Sequence, residues 1–379
     1  MLLQVLCDSI PEVLVRIAYG QLHHQPRLNF IPAEGILQRV QGVLEVSRCR
    51  HRLQNSDGVL QSFVNGDKGV QALVRHARVW RGGPSSSARY CRVRVEGLRS
   101  SGSGCGYGVD VEALRPVRPT GTGVLVLAGS SGRVDTDRAR LLAAHGAHAL
   151  PLQWFGGPGQ PPGPWEIPLE TFTSVLDHLA KEANFLSIVG VSFGAEAALV
   201  TASLDPRVRT VAAFAPSHVT WPGYDPDQRR WAAHWTWQGR PLPFVPIQRP
   251  PNPASIDGLS RYLPVYQASL EAASTTTLEQ ATIRVENIPE VLLVSGGDDQ
   301  VWPSTDSARA IANRRAAHRL DTRHVHLPEG GHRTILPGER APDGGHAMAR
   351  GGNPKSDRVL GAMAWSQLTT ALRLNERRH

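Results

Sequence analysis

Three short, glycine-containing segments carry a serine, an aspartate pair and a histidine, in that order along the chain. Ser192 is the central residue of Gly-Val-Ser-Phe-Gly at 190–194, Asp298 and Asp299 follow a pair of glycines, and His332 follows another pair. A serine hydroxyl becomes a good nucleophile when a neighbouring base accepts its proton, and a histidine often has this role. A carboxylate then fixes the imidazole tautomer and stabilises the imidazolium that forms. These residue types predict a triad that attacks a carbonyl carbon.

The acid and the base each have a neighbouring alternative. We prefer Asp299 to Asp298, because a Gly-x-x-Asp spacing with Pro303 four residues later places the Asp299 carboxylate in the loop. Either aspartate could instead cap a turn or a helix. The chain has 15 histidines, and His346 is the nearest rival of His332. The order serine, aspartate, histidine favours Ser192, Asp299 and His332 as one set.

An acyl-transfer site also needs two N–H groups for the oxyanion that forms during attack. One is expected from Phe193, directly after the nucleophile. The other is expected from Ser130 or Ser131, in the Gly-Ser-Ser-Gly-Arg segment at 129–133. The same segment could cradle a phosphate, but it lacks the Gly-x-Gly-x-x-Gly spacing and the lysine of a P-loop. We therefore assign it to the oxyanion.

The segment around Ser192 has the context of a strand, a sharp turn and a helix. An apolar run precedes it at 185–189, and good helix formers follow it at 195–200. Gly190 and Gly194 suit a turn in which strand and helix approach closely. The context predicts a nucleophile elbow, in which Ser192 has a strained backbone.

From residue 120 onward, apolar runs alternate with helical segments, which predicts a doubly wound, mostly parallel sheet. Loops after the carboxyl ends of such strands meet at one edge of the sheet. The three segments with the candidate residues are such loops, and their chain order is that of the α/β-hydrolase fold. Strands are predicted at 123–128, 148–154, 185–189, 208–215, 289–295 and 322–327, and helices from 135 or 137 to 144, at 168–183, after the elbow, at 304–314 and at 357–372.

Several ordered motifs together resemble one family. They are Ile167-Pro-Leu-Glu170, Gly190-Val-Ser-Phe-Gly-Ala-Glu196, Ala215-Pro-Ser217 with Trp221, Gly239-Arg-Pro-Leu-Pro243, Gly297-Asp-Asp-Gln-Val-Trp302 and Gly330-Gly-His332. Over about residues 120 to 375, the chain is similar to the C-terminal domain of acyl-CoA thioester hydrolases and bile acid-CoA:amino acid N-acyltransferases.

The resemblance implies an α/β-hydrolase fold and acyl transfer from a CoA thioester, with acyl-CoA as the partner molecule. It places Ser192, Asp299 and His332 on the matching catalytic positions. Glu196, one helical turn past the serine, also matches, and we expect it to form a structural ion pair. The family's usual N-terminal β-sandwich is not indicated in residues 1 to 85, which do not show a series of short strands.

The nucleophile decides between the reactions that the resemblance allows. The acyltransferase members use cysteine, whose acyl-enzyme is a thioester that amines attack readily, whereas an oxygen ester on serine lets activated water compete. Ser192 therefore favours hydrolysis and predicts an acyl-CoA thioesterase. Transfer to an amine, hydrolysis of a carboxylester or peptide, and a binding protein without turnover remain alternatives.

The segment 218–285 interrupts the strand–helix alternation and is predicted to be an insertion that covers the site. Four of the nine tryptophans lie in it. Aromatic walls suit a fatty or aromatic acyl group, so Trp221, Trp235 and Trp237 are candidate substrate contacts. Packing of the insertion on the sheet is the alternative role. We divide the chain into an N-terminal region of uncertain fold, 1–115, and a catalytic domain, 116–379.

Composition agrees with a globular enzyme. Of 379 residues, 41% are hydrophobic and 20% are charged, and no segment approaches the roughly 20 apolar residues of a membrane span. The N-terminus lacks the pattern of a signal peptide. The net charge of +8 is scattered without basic blocks, which does not favour a nucleic-acid partner. The four cysteines have no metal-type spacing, and we expect reduced thiols, a cytoplasmic location, and neither metal nor cofactor.

Overall fold

A twisted sheet of eight strands organises the chain. The computed structural model describes residues 88–99, 106–158, 160–248, 254–341 and 346–374. The strands are β1 Ala88–Arg99, β2 Gly106–Pro116, β3 Thr122–Leu127, β4 His148–Leu152, β5 Phe185–Val191, β6 Val208–Phe214, β7 Glu290–Gly296 and β8 Arg323–Leu327.

The strands lie in the order β1-β2-β4-β3-β5-β6-β7-β8. The strands from β3 to β8 pair in parallel, whereas β2 is antiparallel to both β1 and β4. The central strands are fully buried, because helices cover both faces of a parallel sheet, and this explains their continuous apolar runs. Strand order and direction confirm the predicted α/β-hydrolase fold.

Seven α-helices lie in the described part of the chain. They are α1 Thr136–Ala144, α2 Glu170–Leu179, α3 Phe193–Leu204, α4 Leu263–Ala272, α5 Thr275–Ala281, α6 Ser304–Ala317 and α7 Pro354–Ala371. A short 3-10 helix occupies Val285–Asn287.

The strands divide the core into two layers. Successive side chains of β3 point to opposite faces, so Leu125 and Leu127 join one buried cluster while Val124 and Val126 join the other. The first cluster contains buried residues of α2, α3 and α6, and the second contains those of α1 and α7. The sheet is therefore covered by helices on both faces.

The observed boundaries differ from the predicted ones at several ends. The strand predicted to reach residue 154 ends at Leu152, because Trp154 turns inward and its indole N–H donates to the carbonyl of Ala128 at 3.1 Å. Helix α7 begins at Pro354, earlier than predicted, because Asn353 and Ser356 form a capping box before it. Helix α2 spans 170–179, and α6 extends to Ala317.

The sheet begins before the predicted catalytic domain. Strands β1 and β2 form an antiparallel hairpin that leads into β4, so the eight-stranded sheet includes residues that precede residue 116, the predicted start of the catalytic domain. The expectations for residues 1–85 and for Cys7, Cys49 and Cys105 lie outside the described residues. In the described part, no helix combines the length and apolar character that a bilayer span requires.

The insertion lies between β6 and β7. Besides α4, α5 and the 3-10 helix, it contains two-residue to four-residue strands, one of which pairs in parallel with Ile167–Pro168. These strands are Pro222–Asp225, Arg230–Ala233, Trp235–Trp237, Arg240–Pro241, Ser255–Ile256 and Leu259–Ser260.

Candidate active site

Ser192 occupies the sharp turn between β5 and α3. Its backbone has φ 57° and ψ −126°, a region that costs a non-glycine residue of the order of 1–3 kcal/mol. Its amide donates to the carbonyl of Phe214 at the end of β6, at 2.9 Å. The half-buried serine thus projects from the carboxyl edge of the sheet, as predicted for an elbow.

The two flanking glycines are required by close packing of main chains. A Cβ on Gly190 would lie 2.0 Å from the carbonyl oxygen of Gly194, and one on Gly194 would lie 2.4 Å from that of Ala128. A side chain at Gly190 would push β5 away from α3, and a side chain at Gly194 would push α3 away from the loop after β3. The Gly-x-Ser-x-Gly pattern is therefore a geometric requirement of this turn.

Asp299 and His332 form a buried pair at the same edge. The Nδ1 atom of His332 lies 2.9 Å and 3.1 Å from the two carboxylate oxygens of Asp299. Asp299 is 4% exposed and His332 is 8% exposed. The imidazole Nδ1 is held by the carboxylate, which leaves Nε2 to act on a second group.

Further donors fix the Asp299 carboxylate. The amides of Val301 and Trp302 donate to it at 2.9 and 3.3 Å, and the hydroxyl of Ser304 donates at 2.6 Å. These bonds fix the orientation of the carboxylate toward His332.

The alternative acid and base lie elsewhere. Asp298 is exposed, and its carboxylate accepts from the amide of Gly352 at 2.8 Å and from the side chain of Gln300. His346 is exposed, and its carbonyl accepts from the guanidinium of Arg350 at 2.7 Å. Asp299 therefore contacts His332, whereas the carboxylate of Asp298 bonds to the main-chain amide of Gly352.

Aromatic contacts connect the elbow to this pair. The ring of Phe193 lies 5.1 Å from that of Trp302, which lies 5.9 Å from the imidazole of His332. The indole N–H of Trp302 donates to the carbonyl of Ala215, after β6. Ser192 follows β5, Asp299 follows β7 and His332 follows β8, and this chain of aromatic contacts connects the three loops.

The loop after β3 approaches the serine from the other side. A Cβ on Gly129 would lie 3.0 Å from the Cβ of Ser192. Ser130 is half-buried and Ser131 is exposed. Phe193 is the first residue of α3, whose first amides have no partner within the helix. Both predicted sources of oxyanion donors are therefore close to the elbow.

Glu196 forms no ion pair with a described residue, so that prediction was wrong. The side chain is fully buried, and one oxygen accepts from the amide of Trp221 at 3.0 Å and from the indole N–H of Trp235 at 2.8 Å. The other oxygen has no hydrogen-bond partner among the described residues. Burial raises the pKa of Glu196 to about 8, against the two hydrogen bonds that lower it.

The three candidate tryptophans differ in position. Trp221 and Trp235 are 2% and 1% exposed, and their N–H groups are used inside the protein, where Trp221 donates to Ser217 and Trp235 to Glu196. Trp237 is half-buried against the core. This placement favours the packing role for Trp221 and Trp235.

Sequence reasoning did not identify His234, which lies behind the elbow. Its ring stacks between Phe193, at 4.4 Å, and Trp235, at 4.2 Å. Both ring nitrogens are buried without a partner among the described residues, and burial lowers the pKa of His234 to about 3. The neutral imidazole of His234 therefore packs as an aromatic ring. This role is visible in its ring contacts and not in the sequence around it.

Comparison with known families matches residues 168–372 to the family described as BAAT / Acyl-CoA thioester hydrolase C terminal. The match covers more than half of the chain and contains Ser192, Asp299 and His332. The chain belongs to this family. The resemblance inferred from the motifs is thereby confirmed.

The chain is also similar to two acyl-coenzyme A thioesterases, at low sequence identity. The chain is 28% identical to acyl-coenzyme A thioesterase 6 of Mus musculus, over 68% of this chain and 60% of that protein. It is 25% identical to acyl-coenzyme A thioesterase 1 of Homo sapiens, over 76% of this chain and 69% of that protein. Among solved structures, it is similar to acetyl xylan esterase 1 of a Thermoanaerobacterium species, with TM-score 0.41, 15% identity, and coverage of 79% and 88% of the two chains.

Proposed function

We propose that this chain is a serine hydrolase that cleaves acyl-CoA thioesters into free CoA and a carboxylic acid. The observation that carries the proposal is the buried Asp299–His332 pair at the edge of the sheet from which Ser192 projects. Membership of a family of acyl-CoA thioester hydrolases supports the substrate class.

The proposed reaction has two halves, formation of an acyl-enzyme and its hydrolysis, and His332 moves a proton in both. The hydroxyl of Ser192 attacks the thioester carbon while Nε2 of His332 accepts its proton. His332 then gives that proton to the departing thiolate of CoA, which leaves an acyl-enzyme. A water, deprotonated by His332, attacks this ester, and Ser192 regains its proton as the acid departs. Asp299 holds the imidazole and stabilises its charged form.

The oxyanion of each tetrahedral intermediate would be stabilised by main-chain amides. We assign one to Phe193 at the start of α3 and the other to Ser130 or Ser131 in the loop after β3. Donors of this kind are worth about 10²-fold to 10³-fold in rate each. The anchoring of this loop by Trp154 supports a fixed position for the second donor.

Water is the proposed acceptor because the nucleophile is a serine. An oxygen ester is a poorer acyl donor to amines than a thioester. The Nε2 atom of His332, which accepts the proton of Ser192, can also accept a proton from water. The alternative acceptor, an amine, would give an N-acyl product. A cytoplasmic location and independence of nucleic acid, metal and cofactor stay predictions from sequence.

The test is release of CoA from a panel of acyl-CoA thioesters by the purified protein, followed with a thiol reagent. We expect Ser192→Ala to abolish release. Ser203→Ala is a matched control, because its hydroxyl bonds within α3 to the carbonyl of Val200, far along the helix from the elbow. Equal rates in wild type and Ser192→Ala would refute the proposal.

Two additions to this assay separate the alternatives. Glycine or taurine in the mixture would reveal amine transfer as an N-acyl product at the expense of free acid. Simple carboxylesters in place of thioesters would show whether acyl-CoA is preferred. Failure of Ser192 to react with an active-site serine probe would favour a binding protein without turnover.

A further inference from the structure

Arg138 is a buried arginine in the first turn of α1, the helix that follows the loop after β3. It forms an ion pair with Glu339, and the two side chains are 5% and 6% exposed. The Nε and Nη2 atoms of Arg138 donate to the two carboxylate oxygens of Glu339 at 2.8 and 3.1 Å. Because a planar guanidinium matches a carboxylate through two bonds, this pair holds the Arg138 side chain in one orientation.

The same guanidinium bonds to the segment that carries the candidate catalytic histidine. Its Nη2 atom also donates to the main-chain carbonyl of Thr334 at 3.0 Å, two residues after His332. Thr334 is buried, so this carbonyl would lose its Arg138 partner at a place where water cannot easily replace it. Glu339 belongs to the same segment, and its carboxylate also accepts from the amide of Leu336 at 2.9 Å. The main chain that follows the histidine is therefore tied to α1 through Arg138.

Arg138 also contacts the strand that supports the serine. Its Cζ atom lies 4.6 Å from the centre of the Phe214 ring, which is a cation–π distance. Phe214 ends β6, and its carbonyl accepts from the amide of Ser192 at 2.9 Å. Arg138 thus lies between the residue that holds the turn of Ser192 and the segment that follows His332.

We propose that Arg138 is a positioning residue, which fixes His332 relative to Ser192 through its contacts with Thr334 and Phe214. This inference rests on the proposed function, in which Nε2 of His332 accepts the proton of the serine. Such a transfer needs the two side chains within hydrogen-bond reach. A misplacement of about 1 Å can cost about 10²-fold in rate, so a small shift of the histidine segment would be felt in catalysis.

A role in stability alone accounts less well for this arginine. A buried ion pair can often be replaced by uncharged side chains without loss of stability, because burial of the two charges is itself costly. The Nη1 atom of Arg138 has no hydrogen-bond partner in the part of the chain that the structure describes, which adds to that cost. What an apolar side chain would not supply is the oriented donor to the Thr334 carbonyl.

The test is the double variant Arg138→Met/Glu339→Gln. It leaves no unpaired charge in the interior, and the glutamine oxygen can still accept from the Leu336 amide. We expect kcat for release of CoA to fall about 10²-fold while KM stays within about twofold, because the reacting groups are misplaced and the substrate contacts are kept. Circular dichroism establishes that the variant is folded at the assay temperature.

Arg315→Met is the matched control. Arg315 is also fully buried, and its guanidinium donates to the main-chain carbonyls of Pro289 at 3.1 Å and Asp321 at 3.0 Å. These carbonyls precede β7 and β8, at the edge of the sheet opposite the candidate site. The control should lower stability and leave kcat unchanged. A folded double variant that is as active as Arg315→Met would overturn the proposal.

Arg138→Lys keeps the proposal testable if the double variant does not fold. Lysine retains a positive charge beside Glu339, but a single ammonium cannot reproduce the planar fork that bonds the carboxylate and the Thr334 carbonyl together. We expect kcat to fall about tenfold in this variant, again with KM little changed. A wild-type kcat in Arg138→Lys together with a wild-type kcat in Glu339→Gln would count against the positioning role.

A second readout does not depend on the substrate. The far-downfield proton resonance of the imidazole N–H that Asp299 holds, assigned by its loss from His332→Ala, reports on the placement of the histidine. If the wild-type protein releases no CoA, the proposed function fails by itself, and this resonance decides the role of Arg138. A shifted or broadened resonance in the double variant, with no change in Arg315→Met, would support the positioning role, and an unchanged resonance would refute it.

Discussion

Glu196→Gln is expected to stabilise the protein at neutral pH, although it alters a fully buried residue beside the elbow. The glutamine oxygen can accept from the Trp221 amide and the Trp235 indole as the glutamate oxygen does. The amide nitrogen would take the place of the oxygen that has no partner among the described residues. The substitution therefore imitates the protonated acid and removes the titration.

The magnitude follows from the raised pKa. Between the ordinary value of 4.5 and the folded value of about 8, the unfolded chain releases the Glu196 proton while the folded chain keeps it. Stability contributed by the neutral acid is thus fully present below 4.5 and is lost as pH rises to about 8. Each pH unit costs about 1.4 kcal/mol, so wild type should have lost roughly 3 kcal/mol by pH 7 relative to Glu196→Gln.

The assay is urea denaturation of both proteins between pH 5 and 8. We expect nearly equal free energies of unfolding at pH 5 and a difference that grows to about 3 kcal/mol at pH 7. Glu286→Gln is the matched control of opposite sign, since hydrogen bonds from Arg314 lower the pKa of Glu286 to about 2. Its effect should be destabilising and constant over this range. A pH-independent difference for Glu196→Gln would refute the reasoning.

Three more predictions concern the site. Asp299→Asn should lower kcat by about 10³-fold to 10⁴-fold through the wrong imidazole tautomer, whereas steady-state assays of Asp298→Asn should show less than about a tenfold change. Gly194→Ala should leave little soluble protein on expression, because its Cβ would lie 2.4 Å from the Ala128 carbonyl oxygen, while Gly258→Ala, where no atom is within 4 Å, should stay soluble despite its positive φ. His234→Phe should keep or raise the melting temperature, because it removes two buried nitrogens that have no hydrogen-bond partner in the part of the chain that the structure describes.

Features carried by local pattern could be predicted from the sequence. The continuous apolar run of β3 and the helical segments of α1 and α6 indicate their structure within a few residues, and their alternation indicates the sheet. The preference for Asp299 over Asp298 used only the spacing from a glycine to a proline, and the structure brings Asp299 to His332. These features depend on residues that are close together in the sequence, so the sequence alone is enough to predict them.

Features decided by distant contacts could not be predicted. Glu196 was expected to meet a cation, but its partners are N–H groups of residues 25 and 39 positions away. The indole N–H groups of Trp221 and Trp235 likewise donate to buried side chains, those of Ser217 and Glu196. Composition shows that the insertion is rich in tryptophan, whereas only packing shows which face each ring occupies.

The segment that leads into α7 explains why the acid and the histidine lie together. The carbonyl of Arg350 accepts from the amides of both His332, at 2.8 Å, and Gln300, at 3.4 Å. Asp298 completes the junction, because its carboxylate accepts from the amide of Gly352. The two neighbouring aspartates thus have different roles. Asp299 bonds to the imidazole, and Asp298 bonds to the segment that supports the imidazole. Loss of the Asp298 carboxylate should therefore act on the stability of this junction rather than on the chemistry of the histidine.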